Sequence, residues 1–194
     1  MTPLKKDFCI ALDIAATELY KNNRYHLSSN KKSYKSLDFI NFISTLTKKF
    51  PIVSIEDPCS EDDWNAWQTI TTKLGKDIQI VGDDLFTTNL KRLQIGIKDR
   101  SANAILIKLN QIGTLSETID CIHHAESNGL EVIISHRSGE TEDVFISDLS
   151  VAFNSGQIKT GSMSRSDRVS KFNQLIRIEE DFDIKNTMKS NKFF

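Results

Sequence analysis

Charged residues of the types that bind metals and move protons follow six short apolar runs of the sequence. They are Asp13, Glu56, Asp83, Lys108, His136 with Arg137, and Lys159. Carboxylate ligands without cysteine or paired histidine favour a hard cation such as Mg²⁺. The basic residues favour an anionic substrate, which an arginine can bind through two parallel hydrogen bonds. A lysine beside a metal can act as a base towards a proton next to a carboxylate, while the metal stabilises the resulting enediolate. The set therefore predicts metal-assisted proton abstraction from an anionic substrate.

The apolar runs themselves predict strands buried on both faces of a sheet, because each is nearly continuous in Ile, Val or Leu. They cover residues 8–12, 52–55, 78–81, 104–107, 132–134 and, more weakly, 156–158. Between them lie segments with helical spacing, two of which open on capping-box patterns at 60–63 and 114–117. Further helices are predicted over 37–46 and over 169–176, the last with an apolar stripe. This alternation predicts an α/β fold with a parallel sheet.

The spacing of the strand ends favours a barrel over an open sheet. Asp13 and Glu56 are 43 residues apart, and the later strand ends follow at intervals of 23 to 28 residues, which suits the repeat of a (β/α)8 barrel. An open doubly wound sheet would carry a glycine-rich turn after its first strand, whereas residues 13–16 read Asp-Ile-Ala-Ala. The long first interval contains a polar stretch, 21–35, which predicts a loop or short hairpin.

The composition excludes several functional classes. A total of 25 Lys and Arg against 26 Asp and Glu gives a net charge of −1, which argues against DNA as a partner. No window holds the roughly 18 uninterrupted apolar residues of a membrane span, and the first residues lack the apolar core of a signal peptide. The three cysteines, Cys9, Cys59 and Cys121, are widely spaced. They indicate the reducing cytoplasm and form neither a disulfide framework nor a zinc site.

Each candidate residue, taken alone, has a simpler structural interpretation. A carboxylate after a strand is more often a helix cap or part of a loop ion pair, and Lys108 alone would more often be a solvated loop lysine. Trp64 and Trp67 suit helix packing, and His123 and His124 suit a partly exposed helix face. Six such residues at successive strand ends, however, favour a site over six separate coincidences.

Long stretches of the chain resemble the C-terminal barrel of enolases, in a bacterial form. They include FPIVSIEDP (50–58), IQIVGDDLFTTN (78–89), ISHRSGETEDVFISDL (134–149) and GQIKTGSMSRSDRVSKFNQLIRIEE (156–180). The resemblance implies a partial TIM-type (β/α)8 barrel of the enolase superfamily. Residues 1–182 would form its last six strand–helix units and residues 183–194 a C-terminal tail.

The resemblance also implies roles for the acidic residues and for one lysine. Asp13, Glu56 and Asp83 match the Mg²⁺ ligands of the family, and the last two also line its substrate site. Asp84, which follows a ligand, is expected to support it. Lys108 matches the catalytic base that takes the C2 proton of 2-phosphoglycerate, in line with the lysine or histidine bases of this superfamily.

The remaining implied roles concern the substrate, a small phosphorylated acid. Arg137 and Ser138 match positions that hold the phosphate, and His136 lines the same pocket. Lys159 matches the lysine beside the substrate carboxylate. The family reaction is the reversible dehydration of 2-phosphoglycerate to phosphoenolpyruvate in glycolysis, a lyase reaction of the cytoplasm, although relatives also occur at cell surfaces or are secreted.

The resemblance further implies that an N-terminal domain and the first two barrel strands of enolases are missing from this chain. These parts supply a general acid and a mobile lid, so we expect the 194 residues alone to turn over little substrate. The complete protein is expected to be a homodimer. Three alternatives stay open: another superfamily enzyme such as a racemase or cycloisomerase, a non-catalytic fragment or surface or assembly binding protein, and the product of a mis-started gene.

Overall fold

The computed structural model describes residues 8–29, 31–182, 189, 190 and 193. Most of the predicted tail, 183–194, therefore lies outside the described residues. The described part contains no helix that is both long enough and apolar enough to cross a membrane.

Six parallel strands form the main sheet, in the order β1-β5-β6-β7-β8-β9, and every pair of neighbours is parallel. They are β1 (Ile10–Asp13), β5 (Ile52–Glu56), β6 (Gln79–Gly82), β7 (Ala104–Ile107), β8 (Glu131–Ser135) and β9 (Ile158–Lys159). The strands lie side by side in chain order, as successive strand–helix–strand units require. The predicted parallel α/β architecture is confirmed.

Seven α-helices are found in the described chain, most of them in the connections between strands of the main sheet. They are α1 (Ser36–Lys49), α2 (Trp64–Leu74), α3 (Leu90–Asp99), α4 (Leu109–Ile112), α5 (Leu115–Ser127), α6 (Phe145–Ala152) and α7 (Ser166–Phe182). A short 3₁₀ helix, Ala16–Leu19, follows β1.

The main sheet curls until the carboxyl ends of its two outermost strands meet. Lys159 at the end of β9 places its Nζ atom 2.9 Å from Oδ2 of Asp13 at the end of β1. The four inner strands bury apolar side chains on both faces, as predicted. The two outer strands do not, since β1 alternates half-buried with exposed residues and β9 is half-buried. Within β7, Ala104 and Leu106 belong to a cluster on one face, while Ile105 and Ile107 belong to the larger core. The result is a six-stranded part of a TIM barrel, with a cavity of about 640 Å³ inside the curl.

The polar stretch after β1 forms a second, antiparallel sheet of three short strands. They are β2 (Tyr20–Lys21), β3 (Arg24–Leu27) and β4 (Lys32–Tyr34). Tyr25 is fully buried and stacks on Phe39 of α1, with 4.5 Å between the ring centroids. Its hydroxyl donates to Asp63 and accepts from the backbone N–H of Ser60, both at 3.0 Å. The predicted loop or short hairpin is therefore a larger unit, because a buried tyrosine attaches it to the core.

The two predicted capping boxes have different outcomes. Thr114 caps α5 as predicted, since its hydroxyl accepts from the backbone N–H of Glu117 and donates to the Glu117 carboxylate. For α2 the capping residue was predicted at Ser60, about one helical turn before its actual position. Asp63 is the capping residue and accepts from Ala66, whereas the Ser60 carbonyl is taken by the indole N–H of Trp67.

The apolar stripe predicted over 169–176 is not the buried face of α7. Ile176 is 52% exposed, and the residues of this helix that are buried are Asp167, Arg168 and Lys171. The helix therefore packs on the barrel through charged side chains. Apolar spacing could not reveal this, because it takes no account of charges that are paired in the interior.

Candidate active site

The residues singled out in the sequence lie along one edge of the main sheet. Asp13, Glu56 and Lys159 are the last residues of their strands. Asp83, Lys108 and His136 each follow the last residue of β6, β7 and β8 directly. Because the strands are parallel, these positions share the carboxyl edge of the curled sheet, where TIM barrels carry their chemistry.

Lys159 joins two of the predicted metal ligands. Its Nζ atom lies 2.9 Å from Oδ2 of Asp13 and 2.7 and 2.8 Å from the two carboxylate oxygens of Glu56. Asp13 and Glu56 are direct neighbours in the strand register. One ammonium group therefore pairs with both carboxylates, and its positive charge offsets one of their two negative charges.

The pKa values in this cluster reflect the different depths of the two partners. Burial raises the pKa of Glu56 to about 7, against the opposing effect of the hydrogen bonds and charge of Lys159. Burial alone would lower the pKa of Lys159, but hydrogen bonds and charge from Glu56, and then from Asp13, raise it above its ordinary value. The Glu56 side chain is 9% exposed and that of Lys159 is 35% exposed, so desolvation dominates for the acid and pairing dominates for the lysine.

Lys108 forms the second ion pair of the site, with Oδ2 of Asp83. The other carboxylate oxygen, Oδ1, is buried and has no hydrogen-bond partner among the described residues. The backbone N–H of Lys108 donates to the hydroxyl of Thr88 at 2.9 Å, and that hydroxyl donates to Gln111 at 2.9 Å. Lys108 is thus fixed at its backbone by Thr88 and at its ammonium group by Asp83.

Asp57 lies behind the metal-ligand positions and supports them. Its two carboxylate oxygens each accept a backbone N–H at 2.9 Å, one from Asp83 and one from Asp84. Burial raises the pKa of Asp57 to about 8, although the two backbone hydrogen bonds act in the opposite direction. Asp57, Asp83 and Asp84 each bring one oxygen to within 4.8 Å of the others, so the acidic group is denser than the sequence prediction of one carboxylate per strand.

The loop after β8 carries the predicted phosphate-binding residues next to a different cavity. Arg137 donates from Nη1 to Oδ1 of Asn110 at 2.6 Å, and both residues line a cavity of about 400 Å³. Ser138 is exposed. Within the described chain, no hydrogen bond or ion pair connects Arg137 to Asp13, Glu56 or Asp83. The structure therefore brings the predicted acids and lysines into contact with one another, whereas Arg137 lies on the same edge without such a bond to them.

His136 connects the loop to α7 rather than to the acidic cluster. Arg168 on α7 donates from Nη1 to Nδ1 of His136 at 2.7 Å. Burial and then the positive charges of Arg168 and Lys159 lower the pKa of His136. Since a guanidinium group can only donate, Nδ1 accepts, and the neutral ring carries its proton on Nε2.

A comparison of the whole sequence with known protein families identifies the barrel to which this edge belongs. The family described as "Enolase, C-terminal TIM barrel domain" matches residues 2–194. The chain belongs to this family. The resemblance noted in the sequence is thereby confirmed at the level of the enolase C-terminal barrel.

The predicted metal ligands of this enolase-family barrel have the chemistry that Mg²⁺, the cation implied by the family, requires. The donor set consists of carboxylate oxygens only, from Asp13, Glu56 and Asp83, which suits Mg²⁺. Oδ1 of Asp83 is a buried acceptor without a hydrogen bond in the described structure, and such an oxygen is costly unless something binds it. The lysines hold the neighbouring oxygens through ion pairs that a ligand can replace.

Two supporting residues of this enolase-family site were missed by the sequence prediction. Asp57 directly follows Glu56, and only the strand-terminal residue was considered as functional. Thr88 lies in a loop where it and Thr87 have φ values of 51° and 48°. Left-handed backbone at a β-branched residue is strained, and nothing in the amino-acid types signals it. The sequence contains two pairs of adjacent acids, Glu56-Asp57 and Asp83-Asp84. These pairs are the signal that could have identified Asp57.

Proposed function

We propose that this chain carries the metal-binding and proton-abstracting part of an enolase site, for the Mg²⁺-dependent, reversible dehydration of 2-phosphoglycerate to phosphoenolpyruvate. The observation that supports the proposal best is the pairing of Lys108 with Asp83 beside the free Oδ1 of that carboxylate. A base and a metal ligand are thus in contact, at the end of neighbouring strands.

Each charged residue of the edge has a task in this reaction. Asp13, Glu56 and Asp83 would hold Mg²⁺, which when bound supplies positive charge to stabilise the substrate carboxylate as it gains electrons. Lys108, after its ammonium group has left Asp83 and lost a proton to solvent, takes the proton from C2, and the C–H electron pair moves into the substrate carboxylate.

The substrate is held by the other basic residues of the edge. Lys159 is placed between two carboxylates, and its ammonium group can turn from them to the carboxylate of the substrate. Arg137 and the exposed Ser138 provide donors for the phosphate, and the neutral His136 lies beside them. Anchoring both anionic ends of a small substrate fixes its C2 atom relative to Lys108.

We propose that the 194 residues alone dehydrate the substrate slowly. Departure of the C3 hydroxyl needs a general acid, and the resemblance assigns that acid to parts of enolases that precede this barrel. Proton abstraction at C2 needs only groups of this chain. The two steps are therefore expected to be separable in this protein.

The test is exchange of the C2 proton of 2-phosphoglycerate in deuterated water with Mg²⁺, followed by NMR, with phosphoenolpyruvate formation measured in the same sample. The expected result is measurable C2 exchange with little product. Lys108→Met should abolish the exchange, whereas Lys98→Met, a change of an exposed lysine on α3, should not. Failure of the unchanged chain to exchange C2 at any Mg²⁺ concentration would exclude the proposed function.

We further propose that the protein acts in the cytoplasm and that the complete enzyme is a homodimer. Cys9, Cys59 and Cys121 are all free thiols in the structure, which suits a reducing compartment. Analytical ultracentrifugation of the complete protein would test the dimer.

A further inference from the structure

The buried face of α7 is charged, which is unusual for a helix packed on a barrel. Lys171 is completely buried, and Asp167 and Arg168 are also buried. Burying charges is costly unless each is paired and hydrogen-bonded, and apolar residues of similar volume would often stabilise the fold as well or better. Packing alone therefore does not explain why charged side chains occupy these buried positions.

Arg168 makes three hydrogen bonds to consecutive residues of the loop after β8. Nη1 lies 2.7 Å from Nδ1 of His136 and 2.8 Å from the carbonyl oxygen of Arg137, and Nη2 lies 3.0 Å from the carbonyl oxygen of Ser138. Asp167 forms an ion pair with Arg168, with 3.2 Å between its Oδ2 atom and Nε, which places a negative charge beside the guanidinium group. One rigid side chain thus sets the path of the three residues that the sequence assigns to the substrate pocket.

Lys171 holds the other end of the same loop. Its Nζ atom donates to Oε2 of Glu140 at 3.0 Å, to the carbonyl oxygen of Thr141 at 2.5 Å and to that of Asp167 at 2.6 Å. All three ammonium protons are therefore used. The Glu140 carboxylate in turn accepts the backbone N–H of Arg137 at 3.0 Å and that of Thr141 at 3.3 Å.

A glycine permits this approach of α7 to the loop. Gly161 has a φ of +83°, and a Cβ atom there would lie 2.9 Å from Cδ of Arg168 and 3.3 Å from Cε1 of His136. A side chain at this position would push Arg168 or His136 away. The segment after β9 is thus shaped to leave room for the contact between helix and loop.

We infer that Arg168 and Lys171 are positioning residues, which hold the loop 136–141 so that Arg137 and Ser138 can bind the phosphate of the substrate. Their contacts fall on backbone carbonyls, on His136 and on Glu140, and leave the Arg137 side chain to point at Asn110. This inference rests on the proposed function, because it takes the loop as the phosphate site.

The test combines phosphate binding with local amide exchange in the whole chain. Inorganic phosphate is titrated into labelled protein by NMR, and hydrogen exchange is measured at the amides of Arg137 and Thr141. Glu140→Gln keeps an acceptor for Arg137 but removes the charge that attracts Lys171. Gln174→Ala is the matched control, because Gln174 lies on the same helix and its side chain hydrogen-bonds to Asp148 and Arg177, outside the loop 136–141.

We expect Glu140→Gln to weaken phosphate binding by about tenfold, as is typical for residues behind a binding group, and to speed exchange at both amides. Arg168→Lys, which keeps the charge but cannot reach all three acceptors, should act in the same direction. Gln174→Ala should change neither quantity. Lys171→Met would remove the ammonium group altogether. If that variant does not fold, the two mild variants, Glu140→Gln and Arg168→Lys, still test the inference.

The possible failures are distinguishable. Phosphate affinity and amide exchange that stay at the parent level in both mild variants would overturn the positioning role and leave the proposed function intact. If the parent binds no phosphate while the variants still exchange faster, α7 does hold the loop and the assignment of the loop to phosphate is wrong. Faster exchange throughout β8 and α6 would show general destabilisation and would also overturn the positioning role.

Discussion

The two halves of the barrel edge hold their charges in different ways. At the ends of β1, β5, β6, β7 and β9, lysines and carboxylates pair side chain to side chain, as Lys159 does with Asp13 and Glu56. In the loop after β8, Arg168 and Lys171 bind mainly backbone carbonyls. A ligand can replace one partner of an ion pair between side chains at an open edge. Hydrogen bonds to backbone carbonyls instead fix the conformation of the loop. We therefore expect changes in the first half to act on binding directly. Changes in the second half should lower stability and should reach phosphate binding only through the position of the loop.

The largest effect on stability is expected at Lys171. Lys171→Met leaves Glu140 and two carbonyl oxygens without their shared donor, and removing one partner of a buried ion pair costs about 3–5 kcal/mol. Urea unfolding followed by circular dichroism measures the change, with Lys98→Met as the exposed control. A loss below about 1 kcal/mol would show that the loop does not depend on α7.

A smaller loss is expected at Asp57, which belongs to the first half but binds backbone. Asp57→Ala leaves the N–H groups of Asp83 and Asp84 unpaired, at a cost of about 2–3 kcal/mol for buried donors. Asp57→Asn keeps one acceptor and should lose less. The same urea experiment compares the two variants, and equal stabilities for both would mean that the hydrogen bonds to Asp83 and Asp84 contribute nothing.

Acidic pH should destabilise the loop 136–141 by protonating the carboxylate of Glu140. Burial would raise the pKa of Glu140, but hydrogen bonds from Lys171 and from the backbone of Arg137 and Thr141 lower it below its ordinary value of 4.5. A depressed pKa in the folded state gives stability that is present above pH 4.5 and is lost as the pH falls through the folded value.

The matching experiment measures stability against pH for the parent and for Glu140→Gln. The difference between the two should shrink as the pH falls below 4.5. A difference that is independent of pH would show that the charge of Glu140 does not contribute. Lys171 is the charged group of α7 that faces this carboxylate.

The smallest effect on stability is expected at Asp13. Its side chain is 45% exposed in the pair with Lys159, and ion pairs this exposed contribute about 0.5 kcal/mol. Asp13→Asn should nevertheless weaken Mg²⁺ binding, measured by calorimetry, while Asp77→Asn, an exposed change away from the site, leaves it intact. Equal Mg²⁺ affinity in both variants would remove Asp13 from the ligand set.

The strands and their terminal residues could be predicted because their signal is local. A strand buried on both faces is apolar throughout, as β7 shows with Leu106 on one face and Ile105 on the other. A charged residue after such a run can only lie at the edge of the sheet. The order of the charges along the edge then follows from the chain order.

The supports of the site could not be predicted, because their function depends on contacts between distant segments. Lys171 lies 31 residues from Glu140, and in the sequence it is one of many helix lysines. Asp57 supports Asp83 through a hydrogen bond between residues 26 positions apart, which no local pattern specifies. The buried Tyr25 gives the second sheet its anchor from within a polar stretch. In each case the role of the residue depends on a contact with a distant part of the chain, which the local sequence does not specify.

The bridge from Lys159 to Asp13 has a consequence for the timing of assembly. The two residues are separated by 146 positions, and closing so long a loop costs entropy that only a largely folded barrel offsets. During synthesis, Asp13 leaves the ribosome roughly 7–30 s before Lys159 at ordinary elongation rates. The acidic group therefore gains its lysine only when nearly the whole six-stranded sheet has been made.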